Sequence, residues 1–194
     1  MSKYNPEIYH RRSIRLKNYD YNQSGAYFIT ICVQNRECLF GDIHNGNIQL
    51  NSFGNIVNQL WGQLSVHFPN VEIDAAVIMP NHFHGIIVIT NSRGLVSKPL
   101  VSKPLVSKPS INYETQAFYQ LKTQLGEIIA YFKYQTTKLI NQQRDLQGTK
   151  IWQRNYYEHI IRNQKSLEFL REYILNNSLQ WEIDQLHPNN SSKW

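Results

Sequence analysis

The chain has 194 residues, a length that fits one domain with room for a substantial core. Twenty Lys and Arg residues against fourteen Asp and Glu residues give a net charge of +6, and twelve tyrosines accompany that charge, as is typical of proteins that bind nucleic acids. Two cysteines exclude a disulfide framework, and the apolar runs are too short to span a bilayer, so we expect a cytoplasmic, nucleoid-associated protein with no membrane partner.

The first segment, about residues 1–24, is polar and basic and is predicted to be an N-terminal arm. Arg12 and Arg15 within it are candidates for contacts with DNA phosphates. A solvated terminal segment without a binding role is the alternative interpretation.

The next residues predict a strand, a hairpin and a helix. Residues 26–33 are dense in β-branched and aromatic side chains, as in a central strand. Residues 41–50 carry the turn residues of a small hairpin. Ser52 is the predicted cap of a helix that ends near residues 67–69.

An antiparallel pair of strands follows, at residues 72–79 and 82–89, and two histidines open its second strand. Side chains two apart on a strand share one face, so the rings of His82 and His84 can converge on one metal ion while Phe83 points the other way. The alternative is a pair of hydrogen-bonded histidines at a strand end.

The pentapeptide Leu-Val-Ser-Lys-Pro occurs three times in tandem between residues 95 and 109. A proline in every fifth position removes a backbone donor each time, and a period of five suits neither a helix nor a strand. We therefore expect a flexible surface loop over about residues 92–112, most simply an inert linker.

The last part of the chain predicts two helices flanking a strand. A long helix over about residues 116–142 carries Lys133, a candidate phosphate contact that could equally be solvated. A fourth core strand and its approach lie within residues 151–162, before a helix that begins near Ser166. The order of elements predicts an α+β, ferredoxin-like (RRM-like) sandwich in one domain, with a central antiparallel sheet and helices on one face.

Tyr173 and Asn177 are four residues apart on the last helix and therefore share one face. Asn177 would add an oxygen ligand to the two imidazoles, and Tyr173 would place a nucleophilic oxygen beside the metal. Mixed nitrogen and oxygen ligands suit manganese as well as magnesium, so the expected cofactor is Mg²⁺ or Mn²⁺. Alternatively, Tyr173 is a half-buried aromatic residue and Asn177 a helix cap.

Three segments together, residues 80–84, 152–162 and 172–177, closely resemble the REP-associated tyrosine transposases, which are HUH single-strand nucleases. The resemblance spans roughly residues 9–181 and implies a ferredoxin-like fold. It implies that His82 and His84 form the HUH motif, that Tyr173 is the nucleophile and that Asn177 is the third metal ligand. The family usually has proline after this asparagine, where Ser178 stands in this chain.

The activity implied by the resemblance is that of a metal-dependent endonuclease and strand transferase, which forms a 5′-phosphotyrosine with single-stranded or hairpin DNA. Residues of the 152–162 segment are expected to line the site and contact DNA, although Trp152 could equally be a core residue. The candidates in this segment are Trp152, Arg154, Tyr156, Tyr157, His159 and Arg162.

Three questions stay open at this stage. Tyr157 is a rival nucleophile, but Tyr173 is preferred because it shares a rigid helix face with Asn177. A catalytically idle nucleic-acid-binding module and a zinc hydrolase using both histidines and His159 are the alternative functions. The oligomeric state, monomer or homodimer, is not readable from the sequence.

Overall fold

Four antiparallel strands form the central sheet of the computed structural model, which describes residues 24–90 and 125–190. The elements in chain order are β1 Gly25–Cys32, β2 Gly41–His44, β3 Asn47–Leu50, α1 Ser52–Gly62, α2 Leu64–His67, β4 Val71–Met79, β5 His82–Ile89, α3 Leu125–Arg144, β6 Tyr157–Ile161 and α4 Gln164–Asn176. Short 3₁₀ segments follow β1 and α4, at Gln34–Arg36 and Ser178–Ile183. The predicted N-terminal arm, with Arg12 and Arg15, and the repeat loop lie outside the described residues.

The strand order of the sheet is β4-β5-β1-β6, and β2 and β3 form a separate hairpin. Counting only the four strands of the sheet, this is the order of a ferredoxin-like fold, so the predicted fold class is confirmed. Its two central strands, β5 and β1, pair along their full length from Cys32 opposite His82 to Gly25 opposite Ile89. The histidines therefore lie in the middle of the sheet, at one end of its strands.

α1 and α3 cover one face of the sheet, where most of the apolar core lies. Trp61 of α1 and Phe132 of α3 pack against Phe83 of β5, with ring centroids 4.6 and 5.4 Å from that of Phe83. Gly85 allows this close packing, because an added Cβ would lie 2.6 Å from the Trp61 ring and 2.7 Å from the Phe83 ring. The expectation of helices on one face holds for these two elements.

α4 lies on the opposite face. Ile174 is its buried anchor, and it packs in a smaller apolar cluster with Phe28, Ile86 and Ile161. The exposed ion pair between Arg171 and Asp74 links the same helix to β4. α4 therefore crosses the face that carries the histidines, and part of that face stays open to solvent.

The helix that follows β3 differs from the sequence prediction in two respects. The cap of α1 is Asn51 and not Ser52, because Asn51 Oδ1 accepts hydrogen bonds from the backbone N–H groups of Phe53 (2.9 Å) and Gly54 (3.0 Å). The predicted single helix is interrupted at Gln63 and continues as α2. Among the helices of the described ranges, none has the length and hydropathy that crossing a bilayer requires.

Candidate metal and nucleophile site

The two histidine rings of β5 are buried side by side on the α4 face. His82 is 0% exposed and His84 is 3% exposed, and their ring centroids are 4.6 Å apart. Burial lowers the pKa of His84 to about 3 and, together with the neighbouring His84, lowers the pKa of His82 well below its ordinary value. Both imidazoles are therefore neutral at physiological pH, the form in which histidine binds metals.

The hydrogen bonds of His82 fix which of its nitrogens faces the site. The side-chain amide of Asn81 donates to the carbonyls of Leu186 (2.7 Å) and Arg36 (3.3 Å), which leaves Asn81 Oδ1 as an acceptor. His82 Nδ1 lies 2.7 Å from that oxygen and must carry the proton. Nε2 therefore presents a lone pair, and it has no hydrogen-bond partner among the described residues.

The ring of His84 is held on two sides. Its Nδ1 lies 2.8 Å from Thr30 Oγ1, and the Phe28 ring stacks on it at a centroid distance of 5.3 Å. Its Nε2 lies 3.3 Å from the hydroxyl of Tyr173. The second imidazole thus meets the phenol of α4 directly.

Tyr173 is positioned by α4 and by an edge contact with Phe28, whose ring centroid is 5.9 Å away. Burial raises the pKa of its hydroxyl, and the negative charge of Asp184 raises it further, while the Asn177 amide acts in the opposite direction. The hydroxyl is therefore protonated in the metal-free protein.

Asn177 is 2% exposed and sits at the C-terminal cap of α4. Its Oδ1 is buried without a hydrogen-bond partner in the described part of the chain. Asn177 has helical backbone angles (φ −61°, ψ −41°), and Ser178, which stands where the resembling family usually has proline, continues the chain as a 3₁₀ segment.

Asp184 completes the cluster, and sequence reasoning missed it. Its carboxylate and the ring nitrogens of both histidines lie within 4.8 Å of one another, a grouping that could hold a metal ion. Burial raises the pKa of Asp184, and the Leu186 backbone N–H, at 2.6 Å from Oδ1, opposes that shift. Asp184 lies at the end of a 3₁₀ segment seven residues beyond Asn177, and no simple sequence period connects it to the histidines.

The distance between His82 Nε2 and Asp184 Oδ2 is 3.9 Å, but the contact is not an ion pair because His82 is neutral. The partly buried Asp184 carboxylate and a ring nitrogen of each histidine thus converge, and His82 Nε2 and Asn177 Oδ1 are buried without a hydrogen-bond partner among the described residues. Buried polar atoms without partners are costly, so their convergence indicates a ligand site.

Two residues of β6 predicted to contact DNA share the face of this site. Tyr157 lies opposite Thr30 and His159 lies opposite Phe28 across the β1–β6 pair, and facing residues in an antiparallel sheet project to the same side. Tyr157 is 48% exposed. His159 is not part of the metal-competent cluster among the described residues, so the arrangement does not support a three-histidine zinc site.

The other predicted DNA contacts fall in different surroundings. Arg154 and Arg162 are exposed, and Tyr156 packs partly buried against the core. Their roles stay predictions.

Trp152 and Lys133 require correction as DNA contacts. Trp152 is 5% exposed, packs against Phe40 at 5.0 Å between ring centroids, and donates its indole N–H to Thr136 Oγ1 at 2.8 Å. It is a core residue with no face free for a base. The Lys133 ammonium donates to the backbone carbonyls of residues 153, 154 and 155 at 2.6, 3.1 and 3.3 Å, so it anchors that segment instead of a phosphate.

Fold and site together define an α+β protein with a paired-histidine, single-tyrosine centre. No protein-family model matches the chain. An uncharacterized protein of Haemophilus influenzae is 46% identical over 187 residues, which cover 96% of this chain and 98% of that protein. The chain belongs to the same family as that protein.

Two further relatives confirm the resemblance to REP-associated tyrosine transposases. A putative REP-associated tyrosine transposase of Haemophilus influenzae is 26% identical over 167 residues, covering 85% of this chain and 77% of the relative. The structure of a REP-associated tyrosine transposase bound to a REP hairpin superposes with a TM-score of 0.52 at 19% identity, covering 86% of this chain and 73% of the other. The structural likeness shows a shared fold.

Proposed function

We propose that the chain is a metal-dependent, single-stranded DNA endonuclease and strand transferase that forms a 5′-phosphotyrosine intermediate at hairpin or palindromic DNA. The observation that carries the proposal is the position of the Tyr173 hydroxyl, 3.3 Å from His84 Nε2 and beside two buried atoms, His82 Nε2 and Asn177 Oδ1, that have no hydrogen-bond partner among the described residues. The relatives named as transposases support this class of enzyme.

The side chains fit a divalent cation. His82 Nε2 and Asn177 Oδ1 are buried atoms that lack partners within the described ranges, and His84 and Asp184 complete a set of two nitrogens and two oxygens. Such a mixed set suits Mn²⁺, and Mg²⁺ through its oxygen donors. A cation bound there would polarise the scissile phosphate and stabilise the charge that grows on its oxygens.

The histidines are prepared for this role by their own partners. Asn81 holds the proton on His82 Nδ1, and Thr30 orients His84 through its Nδ1. Fixing the outer nitrogen of a ligating histidine sets both its tautomer and its direction. Neither ring needs to lose a proton before it binds a metal.

Tyr173 would act as the nucleophile. Its phenolic oxygen forms a bond to phosphorus while the bond from phosphorus to the 3′ oxygen of the preceding nucleotide breaks. The phenol loses its proton and the departing 3′ oxygen gains one, so the step is balanced. Burial raises the pKa of the Tyr173 hydroxyl, and a cation bound beside it would favour loss of the proton.

The number of phosphodiester bonds is conserved, since the protein–DNA linkage replaces the bond that breaks. Attack by a free 3′ hydroxyl on the phosphotyrosine reverses the step and joins a new strand. Strand transfer therefore requires no external energy source.

The open part of the α4 face would receive the DNA. Tyr157 offers an exposed ring for base stacking, and His159 on the same sheet face and the exposed Arg162, just after β6, are candidates for contacts with the sugar-phosphate backbone. Arg12, Arg15, Arg154 and Tyr156 remain candidate contacts. A DNA substrate would place the protein at the nucleoid.

The test is a covalent-capture assay with an end-labelled DNA hairpin and Mn²⁺. The wild-type chain should form a DNA adduct that resists denaturation, and Tyr173→Phe should lower its rate of formation by about 10³-fold or more while hairpin binding persists. Tyr157→Phe, which removes the rival hydroxyl but keeps the ring, should still form the adduct.

Tyr131→Phe is the matched control, because Tyr131 packs on the other face of the sheet against His67. Hairpin binding without any adduct by the wild-type chain would contradict the proposal and favour the idle binding module. An adduct that survives Tyr173→Phe and disappears in Tyr157→Phe would reassign the nucleophile.

A further inference from the structure

α4 carries the proposed nucleophile, yet few of its side chains are buried. All 13 of its residues lie in the described ranges, and Ile174 is the one among them that is buried. Leu167, Leu170 and Tyr173 add partly buried contacts with the same apolar cluster. Apolar packing alone therefore restrains the roll of α4 about its own axis only weakly.

A bidentate ion pair adds a directional restraint to this helix. The Arg171 guanidinium donates from Nε to Oδ1 of Asp74 at 2.8 Å and from Nη2 to Oδ2. Two hydrogen bonds between a guanidinium and a carboxylate fix the direction of both groups as well as their distance. The two residues are 97 positions apart in the chain, so the pair is a tertiary link between α4 and β4.

A bulge in β4 turns Asp74 toward α4. The register between β4 and β5 shifts between Ile73 and Ala76, where β4 has one extra residue. In a regular strand, Asp74 and Ala75 would project to opposite faces of the sheet. Here Asp74 contacts α4, and Ala75 packs against the apolar cluster beside the same helix. The bulge thus directs two consecutive side chains to the α4 face, as bulges near functional sites often do.

Arg171 and Tyr173 lie on either side of Ile174 around the helix axis. Arg171 is about 60° from Ile174, and Tyr173 is about 100° from it in the opposite direction. An atom at the outer radius of a helix, about 5–6 Å from the axis, moves by about 1 Å when the helix rolls by roughly 10°. The position of the Tyr173 hydroxyl therefore depends on the roll that the ion pair restrains.

β4 also borders the strand that carries the histidines. Val77, three residues after Asp74, lies opposite His84, and Met79 lies opposite His82. The ion pair therefore ties α4 to a strand that is hydrogen-bonded directly to the histidine strand. Asp74 itself is not part of the metal-competent cluster among the described residues.

We propose that Asp74 and Arg171 are positioning residues, which set the roll of α4 and thereby hold the Tyr173 hydroxyl against the metal site. This inference rests on the proposed nucleophilic role of Tyr173. Exposed ion pairs contribute little to stability, and the Arg171 side chain is 45% exposed. A shift of a reacting group by about 1 Å, by contrast, can lower a rate by about a hundredfold. The pair should therefore affect the rate of reaction far more than the stability of the fold.

The experiment measures single-turnover adduct formation with hairpin DNA and Mn²⁺ in Asp74→Asn and Arg171→Met. The first variant keeps the size of the side chain, and the second keeps its length and helix propensity, but each removes the ion pair. Both should form the adduct about tenfold to a hundredfold more slowly than the wild-type chain. Mn²⁺ affinity and the midpoint of urea unfolding should stay at their wild-type values. Hairpin affinity should not fall in Asp74→Asn, which removes no cation that DNA could contact.

The two variants change the net charge in opposite directions, which separates positioning from an electrostatic effect on the Tyr173 hydroxyl. Loss of a carboxylate would favour the ionised phenol and loss of a guanidinium would disfavour it, so an electrostatic effect would change the two rates in opposite directions. Positioning predicts similar losses in both variants. It also predicts no further loss in the double variant, because either substitution removes the whole pair.

Gln164→Ala is the matched control, because the exposed hydrogen bond from Gln164 to Glu168 stays within α4, and this variant should keep the wild-type rate. An unchanged rate in either pair variant, opposite changes in the two, or losses that multiply in the double variant would overturn this inference. So would a loss of rate in Asp74→Asn that is matched by an equal loss of hairpin affinity or of folded protein. Absence of an adduct in the wild-type chain would overturn the proposed function, and this inference with it.

Discussion

Strand β5 presents two buried faces with opposite chemistry. Toward α1 and α3 it carries Phe83, 0% exposed, which is packed by aromatic rings on both helices. Toward α4 it carries His82 and His84, which are almost as deeply buried but end in nitrogen lone pairs. Neighbouring residues of one strand thus stabilise the core on one side and, in the proposed function, bind a metal ion on the other.

The two faces of β5 differ in whether their buried polar atoms have hydrogen-bond partners. Apolar side chains on the helix-covered face gain from packing alone. On the α4 face, His82 Nε2 and Asn177 Oδ1 are removed from water without a partner in the described ranges, which lowers the stability of the metal-free protein. Adding a cation should therefore stabilise the protein through the α4 face only.

The largest expected effect is stabilisation by Mn²⁺. At a concentration of about 100 times its Kd, Mn²⁺ should raise the free energy of unfolding by about 2.7 kcal/mol, because it binds the folded chain. His82→Ala should abolish this gain, since the variant lacks the buried imidazole. Urea unfolding with Mn²⁺ and with a chelator measures both quantities.

His159→Ala is the matched control, because His159 lies on the same face outside the metal-competent cluster. It should retain the full gain. Equal loss in both variants, or no gain in the wild-type chain, would show that the buried histidines do not hold the ion.

The sequence predicted the fold well because its signals were local. Residues 82–89 were predicted as a strand, and β5 spans His82–Ile89. The helical repeat placed Tyr173 and Asn177 on one face of the last helix. The α1 cap was assigned one residue late because Asn51 and Ser52 are both good capping residues, and only the hydrogen bonds distinguish them.

The second largest expected effect is a loss of Mn²⁺ affinity when the charge of Asp184 is removed. Asp184→Asn keeps an oxygen for the Leu186 N–H but removes the charge, so Mn²⁺ affinity should fall about tenfold, equivalent to about 1.4 kcal/mol. Glu182→Gln is the control on the same 3₁₀ segment, because the Glu182 side chain is 87% exposed. Isothermal titration measures both, and an unchanged affinity in Asp184→Asn would exclude the carboxylate as a ligand.

Asp184 was missed because its contribution depends on tertiary structure. The chain comes back to the histidines only after α4 and a 3₁₀ segment. The side-chain amide of Asn81 donates a hydrogen bond to the carbonyl of Leu186 and so holds this segment next to His82. Trp152 was ambiguous for the same reason, since an aromatic residue beside polar ones suits either a core or a base. Sequence periodicity identifies shared faces within one element, whereas contacts between elements require coordinates.

The smallest expected effect is a loss of stability when the core residue on the helix-covered face of β5 is changed. Phe83→Leu should lower the free energy of unfolding by about 1 kcal/mol, because it removes part of the ring packed against Trp61 and Phe132. Its Mn²⁺ affinity should stay unchanged, since Phe83 projects away from the imidazoles. A parallel loss of metal affinity would mean that core packing sets the spacing of the histidines, and that the two faces of the strand are coupled.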